Sequence, residues 1–163
     1  MHALTEKDVR SSFANASLRE RNSLTLPTGF DDLDWDARDF LAWRDPKLAP
    51  LGYVVAILDD RPVGILLRVS DQPTRTRPQC SWCEDVTLPN DVVFFSAKRS
   101  GQAGRRGDTV GTLVCARYEC PRNVRKLPPL AYPGFDREAA RERRIVALRE
   151  NVVNFVRDIR DSD

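Results

Sequence analysis

The residues of this chain best suited to chemistry are its four cysteines, Cys80, Cys83, Cys115 and Cys120. They fall as Cys-x2-Cys, an interval of 31 residues, and Cys-x4-Cys. Two intervening residues let both sulfurs of the first pair point to a common centre. Four thiolates together fill the tetrahedral shell that zinc prefers, at about 2.3 Å per sulfur. The wider second pair is expected to come from a strand end and the start of the helix beyond it. A catalytic zinc keeps one position open for water, whereas an all-sulfur shell is closed. The pattern therefore predicts one structural Zn2+ held by these four cysteines.

Other reactive constellations are missing from the sequence. The sole histidine is His2, so histidine-based acid–base or triad chemistry has no candidate. No nucleophile elbow, phosphate loop or dinucleotide fingerprint occurs. The expectation is a protein without enzymatic activity and without a small-molecule substrate. A dithiol reading of Cys80-Ser81-Trp82-Cys83 stands as an alternative, but such a motif should open a helix to lower its thiol pKa. Pro78 before it and Glu84, Asp85 and Pro89 after it make poor helix sequence, and the second cysteine pair would have no role.

Two features near the cysteines could contact a partner. Trp82 lies between two ligands, where it either faces outward or packs on the neighbouring hairpin and shields the sulfurs. The segment Arg99 to Asp108 (RSGQAGRRGD) carries three arginines and three glycines and reads as a polar loop. Arginine forks in such a loop suit phosphates or acidic surfaces. Lys98, Arg99, Arg105, Arg106, Arg122 and Arg125 are the candidate partner-binding residues.

The chain has 163 residues, 41% hydrophobic and 31% charged, and no apolar run long enough for a membrane span. Met1 to Arg10 lack the apolar stretch of a signal peptide. Cysteines kept from export serve as metal ligands more readily than as disulfides, which points to a cytoplasmic setting. The net charge of +2 is uneven. Residues 98–126 hold eight basic side chains against Asp108 and Glu119, a local +6 that favours an anionic partner. Nucleic acid is one such partner, with Arg105, Arg106, Arg122 and Arg125 on phosphates. Aromatic residues are not interleaved with those arginines as a base-stacking platform requires.

The elements that must position these residues can be read in order. Thr5 and Asp8 form a capping box, with Leu4 and Val9 as its staple, and a second short helix is expected from Ser17 to Leu24. Trp35 to Trp43 reads as a short helix stopped before Pro46. Tyr53–Leu58 and Val63–Val69 make a hairpin whose continuous apolar character implies cover on both faces. Gly64 marks a bulge or a close backbone contact. Asp71 to Pro78 is polar and marks a boundary. Asp91–Lys98 and Thr109–Cys115 are strands, and Pro121 suits a helix's first turn. After the connector LPPLAYPG, a helix from Asp136 to Arg160 carries Ile145, Leu148, Val152, Phe155, Val156 and Ile159 at helical spacing, a stripe for docking on the sheet. The fold class expected is α+β: a small mixed lobe over 1–76, a four-cysteine treble-clef module over 77–135, and a helix over 136–163 that packs back to complete one compact domain.

The chain resembles the family whose C-terminal treble-clef zinc finger is named for elongation-factor-G-binding, fibronectin-binding-type proteins (FBP). The likeness rests on FLAWRDP from Phe40 to Pro46, on RPVGILLRV, on the cysteine quartet and on AKRSGQAGRRGDTVGTLVC. It extends from about Leu4 to Ile159. Relatives in that family include fusidic-acid-resistance proteins, which bind elongation factor G on the ribosome and carry an additional N-terminal helical bundle. The resemblance implies a zinc-containing protein of translation, with elongation factor G or the ribosome as partner. It also implies contacts from the zinc-finger lobe, and an RNA contact is a further option. Arg117 or Arg122 would offset the charge of a zinc tetrathiolate.

Overall fold

The computed structural model describes residues 1–70, 77–87 and 89–162. Five antiparallel strands form one sheet in the order β1-β2-β3-β4-β5. They span Leu41–Arg44, Leu51–Leu58, Arg61–Val69, Val92–Lys98 and Thr109–Cys115. Five α-helices accompany them: α1 Glu6–Ser12, α2 Leu18–Ser23, α3 Gly101–Arg106, α4 Cys120–Arg125 and α5 Arg137–Arg160. The boundary expected at Asp71 to Pro78 lies mostly outside the described residues.

The central hairpin, β2–β3, turns on Asp59 and Asp60 alone, both at positive φ (50° and 61°), as the tight primed turns of hairpins require. Its apolar run is covered on both faces, and strand alternation sorts the side chains. Val54, Ala56, Leu58, Val63, Ile65 and Leu67 face one core, shared with the α5 stripe of Ile145, Leu148, Val152, Val156 and Ile159. Leu51, Tyr53, Val55 and Leu66 face the other, with Leu4, Val9 and Phe13 around α1. The α5 stripe docks on the sheet as its spacing predicts. Gly64 provides a close approach: Ala14 N–H donates to its carbonyl at 2.9 Å, and a Cβ there would meet Ser12 and the Phe13 ring. Both N-terminal helices carry the capping boxes Thr5–Asp8 and Ser17–Glu20.

Two elements differ from expectation. Trp35 to Trp43 is not a helix: a turn closes Arg38 N–H on the Trp35 carbonyl at 3.1 Å, and Leu41–Arg44 then pairs with β2. Leu41 and Trp43 are buried on one face of that strand, so period-2 burial overrode the helical reading. The polar segment Arg99 to Asp108 is not a plain loop but holds helix α3. Its glycines are positional. Gly101 enters at φ 61°, Gly107 closes the helix in the left-handed conformation at φ 97°, and a Cβ on Gly104 would collide with the Arg99 carbonyl.

Candidate metal centre

Three local devices deliver the four cysteines. Cys80 and Cys83 sit on a knuckle closed by Glu84 N–H donating to the Cys80 carbonyl at 2.9 Å, with Glu84 at φ 50°. Ser81 N–H donates to the Leu113 carbonyl at 2.7 Å, which ties the knuckle to the edge of β5. Cys115 is the last residue of β5. A turn through Tyr118 at φ 58°, its N–H on the Cys115 carbonyl at 2.9 Å, leads to Cys120 as the first residue of α4. Pro121 follows at the first turn, where its missing N–H costs nothing.

All four sulfurs are buried and lie within 4.8 Å of one another. Two separations are resolved further: 3.6 Å between Cys80 and Cys120, and 3.7 Å between Cys83 and Cys115. A zinc–sulfur bond of about 2.3 Å gives a tetrahedral edge of about 3.8 Å, so the set fits one zinc ion. One sulfur also has a hydrogen-bond donor from outside the quartet. Asn123 donates its amide N–H to Cys115 Sγ at 3.6 Å while bonding Asn90 Oδ1 at 2.7 Å. Among the described residues neither Arg117 nor Arg122 is hydrogen-bonded to a sulfur; the donor there is the neutral Asn123 amide. Hydrogen bonds from Cys115, then Cys120 and Cys83, hold the Cys80 thiol well below the ordinary thiol range. Its bonds to Cys115, Cys80 and Cys83 push Cys120 the other way. Zinc binds these residues as thiolates, so its binding releases their protons.

Knuckle, β4–β5 hairpin and the start of α4 converge on one cage, the order of a treble-clef zinc finger. Residues 8–159 match the family described as the FBP C-terminal treble-clef zinc-finger. The chain belongs to that family. No curated protein and no solved structure matches it significantly. As an FBP-type zinc finger, the chain binds one structural zinc through its four-cysteine site.

Trp82 belongs to the inside of this zinc finger. It is 2% exposed, with its ring 5.9 Å from Tyr118, 5.6 Å from Phe155 and 6.0 Å from Phe40. Packing among aromatic side chains describes it, and it is buried away from any partner. The basic candidates divide into two groups. Lys98, Arg99, Arg105 and Arg106 cluster where β4, α3 and β5 meet, while Arg122 and Arg125 lie on α4 at the metal end. Three of them are ion-paired within the fold, Arg106 with Asp108 at 3.9 Å. Arg99 bonds Asp158 on α5 at 3.3 Å, and Arg125 bonds Asp39 at 2.8 Å. Among the described residues Lys98, Arg105 and Arg122 form no ion pair.

Sequence reasoning missed the carboxylates that brace the cage. The Asp39 side chain is 1% exposed and receives both Arg125 of α4 and Arg149 of α5, the latter at 2.5 Å. Asp85, just past the knuckle, receives Arg144 of α5 at 2.5 Å and Thr87 Oγ1 at 2.5 Å. Asn151 of α5 donates to the Trp82 carbonyl at 3.1 Å. Helix α5 therefore grips both halves of the zinc finger. No spacing rule marks Asp39, since its partners are 86 and 110 residues away.

Proposed function

We propose that this chain is a non-enzymatic docking protein of translation, which binds elongation factor G or the ribosome with its zinc-finger side. The observation that carries the reading is membership of the FBP zinc-finger family together with a cage whose four positions are all sulfur. Such a centre organises a surface and leaves no coordination site for substrate. Cations without an ion pair among the described residues, Arg122 at the metal end and Lys98 and Arg105 at the α3 end, supply a charge suited to an anionic partner.

The test is sedimentation with ribosomes and affinity capture of purified elongation factor G, each over a salt series. Association that weakens with salt, and falls about ten-fold in R105E/R106E or in R122E, is the expected outcome. The two variants report separately on the α3 end and the metal end. Absence of association with both partners at low salt refutes the proposal. Equal binding to ribosomes and to naked RNA, with a steep salt slope, would instead establish the nucleic-acid reading.

A further inference from the structure

The sheet ends on one side at β5, whose outer edge can be mapped group by group. Arg99 N–H donates to the Asp108 carbonyl at one end of the β4–β5 ladder, and Ala116 N–H donates to the Asp91 carbonyl at the other. With the register Lys98↔Thr109 to Val92↔Cys115, the alternation of an antiparallel pair follows. Val110, Thr112 and Val114 bond to β4, and Thr109, Gly111 and Leu113 direct their N–H and C=O groups away from it. Ser81 N–H occupies the Leu113 carbonyl. Among the described residues nothing bonds the N–H groups of Thr109, Gly111 and Leu113 or the carbonyls of Thr109 and Gly111. That leaves three donors and two acceptors along about 13 Å of extended chain.

The surroundings of this edge specify what would add to it. Phe94, 40% exposed, lies across Gly111, which has no side chain to cover it; a Cβ there would collide with the ring. An incoming strand thus meets an aromatic surface at its middle. At the α3 end stand Lys98, Arg105 and Arg106; Asp108 lies 3.9 Å from Arg106, and Glu20, which lines a pocket with Lys98 and Thr109, is paired with Arg68 at 2.9 Å. Arg117 stands beyond the other end, where Asp91 and Glu119 also lie. A second copy pairing antiparallel would bring Arg105 and Arg106 of one chain beside Arg117, Asp91 and Glu119 of the other, so self-pairing is a competing outcome that its dependence on protein concentration reads. An extended segment with carboxylates at the Lys98, Arg105 and Arg106 end and an apolar centre over Phe94 matches what this edge presents.

We infer that the outer edge of β5 is a strand-addition site for an acidic extended segment of a partner protein, with carboxylates beside Lys98, Arg105 and Arg106 and an apolar side chain on Phe94. The inference rests on the reading of the chain as a docking module, but not on which partner it docks.

The experiment is amide hydrogen exchange by NMR on the zinc-loaded full chain. The probe is a short peptide of alternating valine and threonine with two glutamates at each end; a lysine-ended counterpart and a short RNA serve as controls. In the free protein Thr109, Gly111 and Leu113 amides exchange fast, while Val110, Thr112 and Val114 are protected. The glutamate peptide slows the first three by about ten-fold or more at saturation. It does so much less in Thr109→Pro, which removes one outward N–H and leaves the β4 ladder intact. Protection that is absent, that is equal for the lysine peptide, that comes from RNA alone, or that appears on raising protein concentration without peptide overturns the inference. The same spectrum with purified elongation factor G separates the two proposals. Binding of the factor with the three edge amides still fast refutes strand addition alone. Peptide protection without factor binding refutes the choice of factor alone.

Discussion

Removing the metal should cost more than the zinc finger itself. A structural zinc contributes on the order of 10–16 kcal/mol in isolated fingers, against a total stability of about 5–15 kcal/mol for a single domain. In this fold the four cysteines lie in the same hydrophobic cluster as Val54, Ile65, Leu148 and Val156. The loss therefore reaches the α5 core as well as the knuckle. If even about 5 kcal/mol is lost, the midpoint of thermal unfolding falls by about 10–20 °C, at about 2–4 °C per kcal/mol for a chain of this size. Trp82, sandwiched among Tyr118, Phe155 and Phe40, is the internal reporter. In a W35F/W43F background its emission should shift to the red on addition of a strong zinc chelator and return when zinc is restored. Scanning calorimetry of the same samples reads the midpoint. An unchanged Trp82 spectrum and a midpoint within about 2 °C of the zinc-loaded protein would refute the argument, because it would mean that the cage adds little to the core around it.

Three further outcomes follow from particular contacts. D39A removes a carboxylate that is 1% exposed between guanidinia that are 37% and 56% exposed, so the arginines regain water. The cost should be about 2 kcal/mol, below that of a fully buried broken pair; it reads as a urea midpoint lower by about 1 M, with faster zinc loss because α4 carries Cys120. G104A should destabilise, although glycine to alanine inside a helix ordinarily stabilises by about 1 kcal/mol, since the new Cβ strikes the Arg99 backbone; a urea midpoint above wild type would refute that packing argument. Burial opposes ionisation of Asp45, but hydrogen bonds from Lys47, Tyr53, Leu48 and Thr25 outweigh it and hold its carboxyl below the ordinary 3.8. That stabilisation is present above pH 3.8 and disappears as pH falls through the lower folded value; D45N should flatten this part of the acid limb, and an unchanged slope in acid titrations would refute it.

The metal ligands, the strand that carries Cys115 and the docking helix were all legible in the sequence, because each is a local pattern. Cysteine spacing, apolar alternation and three-and-four periodicity need no knowledge of distant residues. Trp35 to Trp43 misled because helical spacing and strand alternation overlap over nine residues, and only pairing with β2 decides between them. Helix α3 was hidden by its glycines, which serve there as entry, packing position and cap. The side of Trp82 was open in the sequence because either face of a knuckle can carry an aromatic ring; the aromatic neighbours that settle it come from Phe40, Tyr118 and Phe155, each more than 30 residues away.

How the metal end is joined to the rest of the sheet determines how rigidly any docking surface is held. Among the described residues β3 and β4 are in register at Arg68↔Ser96 and Val69↔Phe95, followed by Ser70 N–H on the Phe94 carbonyl at 2.9 Å. Asn15 spans the gap above it, accepting from Leu66 N–H at 2.8 Å and donating to the carbonyls of Leu66 and Lys98 at 3.0 and 2.9 Å. Such a junction alone would let the zinc hairpin swing. Helix α5 prevents it, because the helix packs on β2 and β3, holds Asp85 and the Trp82 carbonyl near the knuckle, and receives Arg99 at its far end. The hydrophobic clusters accordingly divide by sheet face and not by position along the chain. The edge of β5 is therefore fixed at both ends through one helix, so the entropy of ordering it is spent on folding and is not charged again when a partner strand arrives.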